Sequence, residues 1–379
     1  MQTVGAQWFL VEGHASPTVI ALVQTASLTP TLLLALFAGA LADRVDRRRL
    51  LIAVQAYGAV AAAVLAALAV TGALDAVSLL VLMFAVGCAA ALTTPAWQAI
   101  QPGLVPREQL RSAASLGGLA VDTARAVGPP IAGLLVAALG AAAVFAINAV
   151  SFVAVIVALL AWKPTTSEPV TAREPFGQSV LTGIRYTNQS PNMRRILVRA
   201  ALFAFPASAL WALLPVVASQ QFHLRAIGYG AVLGTVGVGA IMGAVVMSRL
   251  GAVLSANALL ALSALFAAGG LAAAAYAPLG VAVVLLLLAG VAWIATLTTL
   301  TVAAQMTLPP PLQARGLAIY LVILIGSQAF GSLVWGVVAS RFGLVASLTA
   351  SAVLLVVASV SVAVLPLLPE TGDGQRRDF

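Results

Sequence analysis

Runs of twenty or more apolar residues, almost free of charge, recur along the whole chain and limit what it can fold into. Ala256–Tyr276 is one such run, and Leu279–Thr301 begins after only two intervening residues. A helix needs about 20 apolar residues to cross a bilayer. In lipid, only helices and closed barrels satisfy every backbone amide. A barrel alternates apolar and polar residues over segments of about ten; these runs are twice as long and do not alternate. Composition agrees: 62% of the 379 residues are hydrophobic and 8% charged, against about 45–50% and 25% in a soluble domain. Soluble enzymes, nucleic-acid modules and disordered proteins are excluded on that ground. The expected class is an all-α polytopic membrane protein.

Eleven full spans are read: Pro17–Leu41, Leu50–Val70, Val77–Gln98, Leu116–Leu139, Ala142–Trp162, Ile196–Gln220, Gly228–Arg249, Ala256–Tyr276, Leu279–Thr301, Leu317–Ser340 and Ala346–Leu368. An apolar stub, Met1–Val11, precedes them. It has half the needed length and lacks the basic start and cleavage site of a signal peptide. It reads as a truncated first helix, with the start assigned at an internal Met. The longest interruption separates a first block of stub plus five spans from a second block of six. The expected organisation is an N-terminal bundle over 1–162 and a linker over 163–195. A C-terminal bundle over 196–368 and a tail over 369–379 follow. Within the linker, Phe176, Val180, Leu181 and Ile184 recur at helical spacing, which predicts a short amphipathic helix on the membrane surface.

Charge gives the orientation. If the spans alternate, one side holds 16 of the 19 basic residues. Arg44, Arg47, Arg48 and Arg49, the linker arginines through Arg199, and Arg376 and Arg377 are among them. Only Arg225 and Arg341 face the other side, and Arg125 lies within a span. Basic loops mark the cytoplasm, so both termini are expected there, in a cell membrane. One cysteine, Cys88, excludes internal disulfides. His14 and His223 lie in short loops and read as structural. Two His, one Cys and scattered acids offer no catalytic or metal-binding constellation.

The two blocks resemble each other at an offset of 204 residues. Gly39 maps on Gly243, Gln101 on Gln305, Leu104 on Leu308, Pro106 on Pro310 and Arg111 on Arg315, and Gly133 falls one residue from Gly336. Parallel repeats about an axis along the membrane normal are a transporter architecture, with substrate bound between the halves.

Polar groups in apolar spans mark function. The loop after the second span reads Gly39-Ala-Leu-Ala-Asp43-Arg44-Val-Asp46-Arg47-Arg48-Arg49. Gly39 permits close helix contact. Asp43 can accept hydrogen bonds from Arg44, Arg48 or a neighbouring helix start, so the cluster can hold one side of the protein shut. A topogenic basic loop is the simpler alternative. In the fifth span, Asp122 and Arg125 stand at i, i+3 on one face. Intramembrane charges cost several kcal/mol and are functional candidates, although the two can also neutralise each other. Gly128-Pro129-Pro130-Ile-Ala-Gly133 follows, and its missing amide donors predict a kink. The glycines of 228–243 have dinucleotide-loop spacing but lie in a span, where they mean close helix packing. Gln98, Gln305 and Gln328, with Asn148 and Trp211, are the candidates for an apolar cavity that carries amides and indoles. Each also suits a helix–helix contact.

The loop from Gly39 to Arg48 resembles the signature G-x-L-A-D-R-x-G-R-R of the major facilitator superfamily, departing at Asp46 where the pattern has glycine. Gly128-Pro129 to Gly133 resembles the antiporter signature G-P-x-x-G-G of its exporters, with Ala132 in place of the first final glycine. With Trp8, Ser16-Pro17, Pro95-Ala96-Trp97-Gln98, Leu104-Val105-Pro106 and Gly228-Tyr229-Gly230, the chain is similar to one branch. That branch holds the enterobactin exporter, macrolide efflux pumps and transmembrane secretion effectors. The resemblance implies two six-helix bundles, alternating access and proton-coupled export of a small amphipathic molecule such as a siderophore or macrolide. It implies no cofactor beyond the coupling proton, no nucleic acid and a monomer. Asp122 is then the candidate proton carrier. A non-transporting sensor, a decayed transporter and an importer are the alternatives.

Overall fold

The structure is a computed structural model. It describes residues 1–100, 109–162, 185–309 and 312–367, excluding the side chains of 35–44, 98–99, 110–115, 118–123, 125–126, 248, 251–252 and 314. The helices are α1 (Gln2–Glu12), α2 (Pro17–Arg44), α3 (Arg47–Thr71), α4 (Ala76–Ile100), α5 (Leu110–Leu139) and α6 (Ala141–Ala161). The second block forms α7 (Pro191–Val216), extended by a π-helical turn over Val217–Gln221, then α8 (Ala226–Val253) and α9 (Ala256–Tyr276). It ends with α10 (Leu279–Thr307), α11 (Gln313–Phe342) and α12 (Leu344–Val360). Among the described residues, nine helices are long and apolar enough to cross a membrane, and α5 and α12 add the shorter apolar stretches Val127–Leu139 and Leu344–Val360.

The packing repeats from half to half. In the first, α3 lies on α6 and α2 on α4; in the second, α9 lies on α12 and α8 on α10. Between halves, α2 packs on α11 and α5 on α8. With no hydrophobic drive between helices in lipid, such contacts rest on small residues that let backbones approach. The side of the molecule where α6 ends and α7 begins is termed the linker side, and the opposite one the far side.

The repeat has two offsets rather than one. Helices α2 and α8 begin at Pro17 and Ala226 and end at Arg44 and Val253, 209 residues apart at both ends. Helices α5 and α11 begin at Leu110 and Gln313 and end at Leu139 and Phe342, 203 apart at both ends. The change falls between the starts of α3 and α4, a distance six residues longer than between the starts of α9 and α10. A uniform offset of 204 therefore misaligns the early helices. Gly243 stands opposite Leu34, not Gly39, whereas Gly133 and Gly336 are true equivalents.

The two histidines are equivalents too. His14 and His223, 209 apart, both adopt left-handed backbone, at φ 53° and 50°. They end α1 and the π-turn of α7. Histidine is among the few non-glycine residues enriched there.

Two expectations are corrected. Helix α7 starts at Pro191, capped by Ser190, whose Oγ accepts the Met193 amide at 3.3 Å. Arg194, Arg195 and Arg199 therefore belong to a helix and not to the linker. The last span stops being helical at Val360, because Pro366 lacks an amide donor and the preceding carbonyls turn onto Arg199. The amphipathic stretch over Phe176–Ile184 lies outside the described residues. Just beyond it, the Tyr186 hydroxyl donates to the Thr307 carbonyl at 3.0 Å.

Candidate functional site

Asp46, the departure from the signature loop, is the N-cap of α3: its carboxylate accepts the Arg49 amide at 2.9 Å. A capping side chain is worth about 1 kcal/mol to a helix start against alanine, and a few tenths against the glycine of the signature. Arg48 then reaches across to α6. Its Nε donates to the Leu159 carbonyl at 2.7 Å and its Nη2 to that of Leu160 at 2.8 Å. Arg48 thus closes the C-terminal end of α6. Asn257 does the equivalent work in the second half: its amide exchanges hydrogen bonds with Leu367 at 3.2 and 2.8 Å. Arg47 is half-buried beside Arg48. The surroundings of Gly39 and the side chains of Asp43 and Arg44 lie outside what is described, as do the side chains of Asp122, Arg125 and Gln98.

Helix α5 runs unbroken through Pro129 and Pro130. Its exporter-like segment faces α8. A Cβ on Gly133 would stand 2.6 Å from the Gly230 Cα and 2.8 Å from the Ala226 carbonyl oxygen, and one on Gly234 would lie 2.2 Å from Pro130 Cγ. Gly128 faces Met1 of α1 more loosely, at 3.8 Å. Along α8 the glycines divide by face. Gly230 and Gly234 receive α5, whereas Gly239 and Gly243 receive the backbone of α10 at Leu287 and Val291.

The seam between α2 and α11 repeats this arrangement. A Cβ on Gly336 would stand 2.5 Å from the Ala21 Cβ and 3.3 Å from the Pro17 carbonyl oxygen. Ala21 and Pro17 are the equivalents of Gly230 and Ala226. Hydrogen bonds fasten this second seam. Thr18 Oγ1 lies 2.7 Å from Ser340 Oγ and 3.1 Å from the Gly336 carbonyl, the Thr18 amide donates to Ser340 Oγ at 2.9 Å, and Thr25 Oγ1 donates to the Ala329 carbonyl at 3.0 Å.

Helix α1 wedges between the halves. The Gln7 amide donates to the Trp211 carbonyl at 3.2 Å and its oxygen accepts the buried Tyr229 hydroxyl at 2.8 Å. Trp8 stacks on Tyr229 at 5.6 Å between ring centroids, and its indole N–H donates to exposed Glu12 at 2.8 Å. Sequence reasoning did not single out Gln7 and Tyr229; the polar Gln7 in an apolar stub was the available signal. Every described hydrogen bond between halves lies between mid-depth and the far side. The far side is closed.

The predicted cavity residues are dispersed. Asn148 is taken by Gln2 of α1, to which its amide donates. Trp211 faces Trp293 edge-on at 5.6 Å, with its indole N–H buried and unpartnered. Gln328 is half-buried on α11 and Gln305 exposed on α10.

The pattern of one protein family, described as transmembrane secretion effector, matches residues 1–376. The chain is 26% identical over 248 residues to the staphyloferrin A transporter of Staphylococcus aureus, covering 65% of this chain and 62% of that protein. It is 25% identical over 218 residues to macrolide efflux protein A of Streptococcus pyogenes, covering 57% and 54%. With the enterobactin exporter of Shigella boydii it shares 31% identity over 164 residues, 43% and 39% of the two chains. The matched segments thus span less than two thirds of these relatives. In fold, the chain is similar to a point mutant of the nucleoside transporter NupG, with TM-score 0.79, 12% identity and coverage of 96% and 94%. It is also similar to a bacterial homologue of the lysosomal transporter Spinster captured inward-facing and occupied, with TM-score 0.75, 15% identity and coverage of 96% and 92%. Two pseudo-symmetric six-helix halves, small-residue seams and a match along the whole chain lead to one conclusion: this multi-pass membrane protein has the major facilitator fold and belongs to the transmembrane secretion effector family.

Proposed function

We propose that the protein is a proton-coupled exporter of a small amphipathic molecule, of siderophore or macrolide class, working by alternating access as a monomer. The linker side faces the cytoplasm of a plasma membrane, as its arginines require. The observation that carries this reading is the pair of equivalent seams, Gly133 on Gly230 and Gly336 on Ala21, both closed on the far side. Two rigid halves in contact at one end give one of the two states that alternating access needs. The relatives named for efflux and export favour that direction. Asp122 is the candidate for the proton step: the described carboxylates Glu12, Asp46 and Asp75 are all exposed, whereas Asp122 stands within the apolar span Leu116–Leu139, on the helix that packs against α8.

The test is efflux from energised cells expressing the full-length gene, loaded with catecholate and carboxylate siderophores, macrolides and fluorescent cations, with and without a protonophore. Protonophore-sensitive loss of one compound is the expected outcome. Retention equal to that of empty cells for the whole panel, with the protein shown in the membrane, overturns the reading.

A further inference from the structure

Helix α7 carries Pro206 and Pro215 inside its length. Proline has no amide to donate. The carbonyl four residues before Pro215, that of Trp211, therefore lacks its ordinary α-helical donor. A donor comes instead from the other half of the molecule: Gln7 Nε2 of α1 donates to that carbonyl at 3.2 Å. The oxygen of the same carboxamide accepts the Tyr229 hydroxyl of α8 at 2.8 Å. Gln7 is 2% and Tyr229 1% exposed, so bulk water reaches neither.

The internal repeat shows that packing does not ask for these groups. At the offset of 209, Gln7 corresponds to Val216, Tyr229 to Ile20 and Pro215 to Ala6. Val216, Ile20 and Ala6 are all buried and apolar, and Ala6 keeps the amide that Pro215 lacks. Three departures from the repeat thus act on one another: a carbonyl denied its helical donor, a hydroxyl, and a carboxamide that serves both.

We propose that Gln7 is the latch of the closed far side, a gating residue that supplies from the first half the donor that Pro215 withholds in the second. The proposal rests on the alternation between two states proposed above. Helix α1 packs on α2, α5 and α6 of its own half, so a rigid separation of the halves carries Gln7 away from α7 and α8. The Trp211 carbonyl and the Tyr229 hydroxyl then take water from the opened space. Closing expels that water, and a buried polar group left unpaired costs more than a made hydrogen bond gains. The far side therefore closes fully only where Gln7 meets both groups. Trp8, stacked on Tyr229, fixes the register of α1 that brings it there.

The test is the crosslinking rate of a cysteine pair, Thr18→Cys with Ser340→Cys, in the full chain with Cys88→Ala. The two parent hydroxyls lie 2.7 Å apart at the seam of α2 and α11, so the pair reads closure away from the latch itself. Each protein is first shown monodisperse in detergent. Gln7→Met with Tyr229→Phe keeps both side-chain sizes and leaves the Trp211 carbonyl without the Gln7 donor. The crosslink is expected to slow about tenfold, the weight of one unpaired buried group. Adding Pro215→Ala gives that carbonyl a donor within its own helix, and the rate returns to within about threefold of the parent. A role in packing alone predicts no such recovery, because Pro215→Ala restores nothing at either replaced side chain. Tyr229→Phe by itself, the mildest change, strands the Gln7 oxygen and slows the crosslink about fivefold. A parental rate in Tyr229→Phe or in the double variant, or no recovery in the triple, overturns the latch. Gly230→Val separates this failure from that of the two-state reading. If it slows the crosslink while the Gln7 series does not, the latch alone falls; if no variant moves the rate, the far side is not a gate and both fall.

Discussion

Gly133 of α5 and Gly230 of α8 face each other with no side chain between them: a Cβ on either would stand 2.6–2.7 Å from the Cα of the other. The closed far side depends on that absence. Overpacking such a contact costs about 1–3 kcal/mol, which converts to roughly 5- to 150-fold in the population of the closed state. Gly230→Val is expected to open the far side by that factor. The readout is a cysteine pair at Thr18 and Ser340, whose hydroxyls lie 2.7 Å apart, in a Cys88→Ala background. The pair crosslinks readily in the parent, and Gly230→Val or Gly336→Val slows the crosslink about tenfold. Gly269→Ala, where nothing lies within 4 Å of the added carbon, has no effect. Equal rates in all four proteins refute the seam as the closing contact.

The parts of this site legible in the sequence were those fixed by period and charge. Apolar run length gave the helices, because lipid leaves a backbone no other choice. The glycines of α8 read correctly as packing, since four-residue spacing in a span has one common use. What stayed hidden was pairing across the fold. Gly336 meets Ala21 and Tyr229 meets Gln7 across more than 200 residues, and nothing local to either residue of a pair names the other. Asn148, read as a cavity amide, donates to Gln2, a pairing that no spacing reveals. The uniform repeat offset failed because six extra residues between the starts of α3 and α4 shift the register without changing either helix pattern.

Arg48 binds two carbonyls at the end of α6 through two different nitrogens. Hydrogen bonds from a charged donor are worth about 1.5–3 kcal/mol each when buried, and less for this half-buried group. Arg48→Gln is expected to lower stability by about 2 kcal/mol, seen as an earlier thermal unfolding midpoint in detergent. Arg48→Lys recovers less than half, because a compact ammonium cannot span both acceptors as a planar fork does. Full rescue by lysine contradicts the bidentate geometry.

Arg199 is only 4% exposed and holds the turn that follows α12. Its removal orphans carbonyls in a setting without water, at about 1–3 kcal/mol for each buried group left unpaired. Arg199→Met keeps the apolar stem and loses the donors. It is expected to destabilise by about 3 kcal/mol or more. Hydrogen exchange separates this from general damage: residues 361–367 lose protection first, while α8 and α10 keep theirs. Uniform loss across the second half is the result that sinks a local capping role.

Proton coupling places the strongest demand on one residue. A carrier must be a carboxylate that alternates between the two sides, and such a group in a span costs several kcal/mol unless it has a use. The second half from 175 to 369 contains no candidate. In the first half, Glu12 is exposed and held by the Trp8 indole, Asp46 caps α3, and Asp75 sits in the loop before α4, its carboxyl below the usual range through its hydrogen bonds with Ser78. Each has a structural task outside the bilayer. Asp122 lies in α5 seven residues before Pro129, on the helix that forms the seam with α8. Asp122→Asn is therefore expected to abolish export driven by a pH gradient, with the protein still folded and monodisperse. Substrate counterflow, which needs no net proton movement, persists in the same variant. Coupling at the wild-type level in Asp122→Asn vesicles removes the residue from the mechanism.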